Sequence, residues 1–432
     1  MEFQTSRERD KTLKEDRFTQ LDGLRGWASF MVLINHVFPN FLYHDSRLER
    51  VSSLIQDPAF SRAYLANIAN AIFSVIYFFI SDGTLAVKIF FVLSGYVLSI
   101  CYFNHKNRTV VIDQALRRYV RLTVPVLFSA MIGYGLLKMG LMYNQQIANY
   151  IDGAWISKFY AFSANLNDAA LFALYSVYFD YQEKTSYNFA AWTMGIELVG
   201  SYLVFATLLF IGNVRWRMGG YAILFMLSLA MSHYLPCFIA GLAIADFYSQ
   251  HPANGAKRPR KIYVSLLILP LIILLILAVS KITNPTAATI FETAAACIIL
   301  LVAVYNQGAI DFLRLPFSQF FGQISFPLYL IHPVILCSAA SAFGVTVISA
   351  TGRDIGVPMT AAFSVLASIG VARFLLPVEK FAIYLSRKTS ILIRKIGAMG
   401  FNSEGARRFL GETSRRSLRR ATEFLRRINE TA

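Results

Sequence analysis

Residues 84–103 read TLAVKIFFVLSGYVLSICYF, twenty consecutive and predominantly apolar positions. Wound as an α-helix at about 1.5 Å per residue they extend about 30 Å, the thickness of a bilayer's hydrocarbon core. The apolar residues cover every face instead of one stripe, as expected of a helix surrounded by lipid or by other helices. A strand of a membrane barrel would alternate. Comparable runs lie at 24–43, 122–141, 189–211, 219–233, 235–249, 262–280, 288–306, 320–343 and 358–385. The pattern predicts an all-α integral membrane protein of about ten transmembrane helices. A further apolar segment, 64–80, is too short to cross and is expected to dip into the bilayer or pack on its outer surface.

Composition agrees. Of 432 residues, 56% are hydrophobic and 15% charged, with a mean hydropathy of +0.50, whereas roughly a quarter of the residues of a soluble chain are charged. The net charge of +16 lies at span ends and in the last segment, which favours anionic lipid headgroups over nucleic acid as its partner. Basic clusters occupy every second loop: Arg7 to Arg17, Lys106 to Arg121, Arg215 with Arg217, and Lys257 to Lys261. The intervening loop 141–188 carries Asp152, Asp168, Asp180 and Glu183 against Lys158 and Lys184. The positive-inside rule then places both termini in the cytosol and demands an even number of spans, which ten satisfies. This divides the chain into a cytosolic segment 1–20, a membrane domain 21–386 and a basic tail 387–432, the tail reading as an amphipathic helix on the inner leaflet. No signal peptide precedes the first span, so the first helix is expected to be its own insertion signal. Cys101, Cys237, Cys297 and Cys337 lie in apolar stretches without metal-ligand spacing, which predicts four buried thiols and no zinc site.

Ionisable groups inside spans are costly and are therefore candidates for function. The first span opens with Asp22-Gly23-Leu24-Arg25-Gly26 and carries His36. Eleven residues are close to three turns, which puts Arg25 and His36 on one face about 16 Å apart, a fixed cation at one end and a titratable imidazole at the other. A single intramembrane histidine is more often a packing residue, so the case needs the remaining motifs. Ser94-Gly95 in the second span permits close approach of a helix or a ligand. Arg117, Arg118 and Arg121 follow it, a cluster that suits phosphates through forked hydrogen bonds or serves topology alone. Trp192 opens the fourth span as an interfacial anchor, with Glu197 more than a turn inside. In the ninth, Ser325-Phe326-Pro327-Leu328-Tyr329-Leu330-Ile331-His332-Pro333 has two prolines that predict a kinked or unwound helix lining a cavity, with Tyr329 and His332 on its cavity side.

Taken together, the Asp22-to-Gly26 opening, the Arg25–His36 spacing, the Phe-Phe-x-Leu-Ser-Gly run at 90–95, the Arg117-x-x-x-Arg121 cluster, the Trp192–Glu197 motif and the Tyr-Leu-x-His run at 329–332 resemble the acyltransferase-3 family of membrane-bound O-acyltransferases. The resemblance covers residues 18 to about 385. It implies acyl-CoA, acetyl-CoA foremost, as cytosolic donor, a carbohydrate hydroxyl such as that of a surface polysaccharide as acceptor, and a multi-pass protein of the bacterial inner membrane. It implies His36 as the catalytic histidine with Arg25 as partner, Glu197 and His332 in catalytic positions, Arg117, Arg118, Arg121, Ser94 and Gly95 on the donor, and Asp22, Trp192 and Tyr329 toward substrate; His36 acting as general base and His36 or His332 carrying the acyl group covalently are both open. No metal is implied, and the oligomeric state is open, a homodimer among the options. Two departures stand out: Leu198 follows Glu197 where many relatives carry a second acid, and no soluble domain is expected after the last span. A secondary transporter using the same polar residues is the rival reading, weakened by the lack of an internal repeat. The enzymatic reading requires His36 and the arginines to converge on one cavity.

Overall fold

A computed structural model describes residues 18–41, 82–151, 153, 155–250 and 284–398. Among these, every regular element is a helix. The long ones are α1 (Thr19–Phe41), α2 (Gly83–His105) and α3 (Arg108–Lys138). Two short helices follow, α4 (Asn144–Ile151) and α5 (Leu166–Leu171), and then α6 (Thr193–Phe210), entered through a 3₁₀ turn at Phe189–Trp192. After them come α7 (Arg217–Met231), α8 (Leu235–Gln250), α9 (Pro285–Tyr305) and α10 (Gln307–Leu313). The chain continues as α11 (Pro316–Ile335), which passes through a π-helical turn, Leu336–Ala340, into α12 (Ser341–Thr351). It ends with α13 (Arg353–Phe374) and α14 (Leu376–Ala398). The starts are written in the sequence: Asp82 accepts from the Leu85 N–H at 2.9 Å, Asn107 from Thr109, and Asn284 caps α9 ahead of Pro285.

Among the described residues, six helices are long and apolar enough to cross a membrane: 83–105, 108–138, 189–210, 285–305, 316–351 and 353–374. The remaining predicted spans differ. Helix α1 has 23 residues but holds Gln20, Asp22, Arg25, Asn35 and His36. The helices α7 and α8 have 15 and 16 residues. Segments 64–80 and 262–280, with 1–17 and 399–432, lie outside the described residues. The predicted run 358–385 is divided at Leu375, where α13 gives way to α14.

Two close helix contacts organise the bundle. Between α2 and α8, a Cβ on Gly95 would stand 2.2 Å from the Phe238 carbonyl oxygen, and one on Gly241 would stand 2.0 Å from that of Val92. Only glycine lets the backbones meet there. Between α1 and α11 a Cβ on Gly26 would lie 2.4 Å from the Gly322 nitrogen, Ser29 Oγ donates to the Ser325 carbonyl at 2.8 Å, and His36 meets His332 at 2.9 Å. Each of these pairs is separated by 296 residues. The two helices therefore run parallel and stay in register for ten residues, so the glycine contact at one end sets the histidine contact at the other.

The expected unwinding at Pro327 and Pro333 does not occur; α11 is helical through both. Side chains supply donors to the carbonyls of this stretch: Ser29 to Ser325, His332 Nδ1 to Leu328 at 3.0 Å, and Asn188 Nδ2 to Leu330 at 2.7 Å. A π-helical turn, Leu336–Ala340, follows just past Pro333.

A Cβ on Gly322 would sit 2.5 Å from the Asp22 carbonyl oxygen. Gly322→Ala is therefore expected to cost about 1–3 kcal/mol by overpacking. Gly219→Ala on α7, where a Cβ meets nothing within 4 Å, should leave stability unchanged or slightly raised. Thermal denaturation of the two variants in lipid nanodiscs checks this, and equal melting temperatures would dissolve the role given to the α1–α11 seam.

Candidate functional site

Five helices, α1, α2, α3, α6 and α11, enclose a cavity that α14 closes along one side. Its polar lining is Arg25, Ser94, Arg118, Arg121, Thr193, Glu197, Tyr329 and Glu379, set among Phe90, Phe91, Met194 and Phe326. The empty space is about 850 Å³ including the mouth, within the range of small-molecule sites.

Glu197 organises this cavity. One carboxylate oxygen accepts from Ser94 Oγ at 2.7 Å and forms an ion pair with Arg118 Nη2. The Arg118 Nε donates to Ser201 Oγ at 2.8 Å. Glu197 and Ser201 are four residues apart on α6, so one helix face presents an acceptor pair that fits the edge of a planar guanidinium. Arg25 sits 3.5 Å from Asp22, one turn earlier.

A second group lies along α1 from Arg25. The His36 and His332 rings stack at 5.0 Å with an interplanar angle of 17°, and Trp155 stacks on His36 from the other side at 5.5 Å and 11°. Phe189 meets His36 edge-on at 5.4 Å. His332 is 1% exposed. Its Nδ1 faces the Leu328 carbonyl, which can only accept, so Nδ1 carries the hydrogen and the neutral ring offers Nε2 as acceptor. The 2.9 Å contact then requires His36 Nδ1–H to donate, which leaves the His36 lone pair on Nε2. The fold thus selects the tautomer of both rings.

The expected convergence of the histidines and arginines on one cavity is not found among the described residues. Arg25, Ser94, Arg118, Arg121, Glu197 and Tyr329 share the cavity; His36 and His332 are not part of its lining. Tyr329 stands between them. Its hydroxyl bonds Thr193 Oγ1 at 2.9 Å and the Ala190 carbonyl at 3.0 Å, and its ring lies 6.1 Å from that of His332. Tyr329 alone of the Tyr329–His332 pair faces the cavity. Arg117 turns from it to Asp113 at 3.3 Å. Gly95 faces the Phe238 backbone, and Trp192 packs on Tyr234 at 5.2 Å; neither lines the cavity.

Several residues escaped the sequence reading. Trp155 and Asn188 belong to the loop between the third and fourth spans. Asn188 is fully buried and joins Ser129 of α3 to the Leu330 carbonyl of α11. Glu379 comes from the first turn of α14. Lys88, 1% exposed, pairs with Glu292 at 2.6 Å, and Asp246, fully buried, pairs with Arg217 and accepts from Tyr221. An unexplained charge in an apolar run was the available signal for Lys88, Asp246 and Glu292; none existed for Asn188 or Trp155.

A family model described as an acyltransferase domain matches residues 18–375. Among curated proteins, the acyltransferase clz18 of Cochliobolus lunatus is 25% identical over 287 residues. That match covers 56% of this chain and 61% of the relative, so it spans less than two thirds of that protein's length. No solved structure matches.

Proposed function

The chain belongs to the acyltransferase-3 family, and from that premise we propose that it moves an acyl group, acetyl foremost, from acyl-CoA to a carbohydrate hydroxyl within a membrane of ten spans, both termini on the cytosolic side. The observation that supports the proposal is the His36–His332 contact, which leaves the His36 lone pair on Nε2, with His332 one helical turn from Tyr329 of the arginine-lined cavity.

In this reading His36 Nε2 takes the proton of the acceptor hydroxyl as its oxygen attacks the thioester carbonyl. The C–S bond breaks, and the proton passes to the departing thiolate. While protonated, the His36 ring keeps its Nδ1–H on His332 Nε2, so the charge forms without reorientation of either ring. Arg25 lies eleven residues from His36, about 16 Å along the helix. That separation is too great for it to touch the thioester carbonyl and favours a role for it, with Arg118 and Arg121, on the phosphates at the far end of the donor. Between the two ends the acyl-bearing arm runs along Phe90, Phe91 and Met194, and the Tyr329 ring must swing aside for the thioester to reach His36. The acceptor approaches from the side of Trp155 and Phe189, aromatic surfaces of the kind that stack on sugar rings.

The test is purified full-length protein in proteoliposomes, supplied with radiolabelled acetyl-CoA and a glycan extract of the source cells. Label is expected on glycan hydroxyls, with release of free CoA. Movement of an unmodified solute without acyl transfer would replace this reading by a transporter.

A further inference from the structure

Helix α14 begins at Leu376, immediately after the family-matched region ends at 375, yet it is built into the site. Ser390 donates to Asp113 at 2.5 Å, and Arg394 reaches the Thr109 carbonyl at 2.8 Å and Asp113 at 3.6 Å. These contacts dock it along α3, and the docking encloses a second cavity of about 550 Å³, mouth included. Arg117, Arg118, Arg121 and Arg387 line it, with Gln114 and Ser386. Arg118 and Arg121 also line the larger cavity and form the wall between the two.

The charges on that wall do not cancel. Arg117 is paired with Asp113 and Arg118 with Glu197. Among the described residues neither Arg121 nor Arg387 has an ion-pair partner. Glu379 acts on Arg121 from the larger cavity, while Arg25, Arg117 and Arg118 crowd it with like charge. An excess of between one and two positive charges remains, arranged as planar forks. A carboxylate or a phosphodiester brings a single negative charge. A phosphate monoester brings about 1.5–2 at pH 7 and three acceptor oxygens, and so matches the charge and offers acceptors to both Arg121 and Arg387.

We propose that this second cavity binds a phosphate monoester, that its source is the terminal 3′-phosphate of the acyl-CoA donor, and that Arg387 on α14 is the residue selecting donors that carry it. The source follows from the shared wall: Arg118 and Arg121 touch both cavities, so one molecule can place its arm in the larger and its terminal phosphate in the smaller. The proposal rests on the acyl-CoA reading above. A lipid headgroup ending in a phosphate monoester offers the same chemistry and must be distinguished from it.

Full-length protein in nanodiscs of neutral phosphatidylcholine is titrated with CoA and with 3′-dephospho-CoA. The wild type is expected to bind CoA about tenfold or more tightly than the dephospho form. Arg387→Gln should reduce that ratio below about threefold, with Arg387→Lys between the two. If both ligands bind the wild type equally, the phosphate site is refuted while the donor reading stands; if neither binds, the donor reading falls and takes the site with it. The wild-type ratio does not depend on how well the variants fold. In a separate arm phosphatidic acid is added to the nanodiscs. Stabilisation that requires Arg387 and resists competition by CoA would assign the cavity to lipid and overturn the donor assignment.

Discussion

His36→Ala is expected to lower kcat for acyl transfer by roughly a hundred- to ten-thousandfold, the usual contribution of a positioned general base, with the yield of membrane-inserted protein unchanged. The size follows from the geometry. Both neighbouring rings hold the imidazole in one plane, and the His332–Leu328 hydrogen bond fixes which nitrogen keeps its lone pair. Among the described site residues, His332 Nε2 already accepts from His36 and Glu197 is committed to Arg118 and Ser94, so neither is placed to inherit the role. The loss of stability should be modest, because His36 is only partly buried, although the ring leaves a space and His332 Nε2 loses its donor. Radiolabelled transfer at saturating donor measures the effect. A variant retaining a tenth or more of wild-type turnover removes His36 from the chemistry. His332→Gln is the companion: a positioning residue should lower kcat with KM little changed and should alter the pH profile, whereas a purely structural one would reduce yield and leave the profile alone.

How much of this was legible beforehand depends on the residue. Arg25, Ser94, Arg118, Arg121, Glu197 and Tyr329 stood out as polar groups at fixed positions in apolar runs, and the fold brings those six together. His36 and His332 were each visible as motif residues, but their contact was not. It depends on α1 and α11 running parallel at a constant offset, a relation set by Gly26 and Gly322 that no local pattern encodes. Pro327 and Pro333 pointed to an unwound segment, yet the helix runs through both, and the neighbouring carbonyls of Ser325, Leu328 and Leu330 take side-chain donors from Ser29, His332 and Asn188 that no local pattern encodes. Glu379 was hidden inside an apparent span that in fact ends at Phe374. Lys88 was overlooked within the very stretch that identified the protein as membranous, because its partner Glu292 belongs to a helix far along the chain.

The second large effect is expected at Glu197, and it separates folding from function. Glu197 is 8% exposed and the Arg118 side chain 12%, so removing the carboxylate strands a guanidinium in a poorly solvated site. Breaking a buried pair from one side costs about 3–5 kcal/mol, because the surviving charge keeps its desolvation penalty and loses its compensation. Glu197→Ala should therefore sharply reduce thermal stability in nanodiscs as well as donor binding. Replacing Arg118 by Met in the same protein removes the stranded charge and keeps the volume, so stability should recover by a large part of that loss. Donor affinity should not recover, since a cation on the wall of both cavities is gone. The two readouts thus separate in the double variant, stability rising while affinity stays low. If Glu197→Ala melts with the wild type, or if Arg118→Met gives no rescue, the ion pair carries no structural weight and the cavity is held in shape by the Ser94 and Ser201 contacts alone; if affinity returns with stability, Arg118 does not touch the donor.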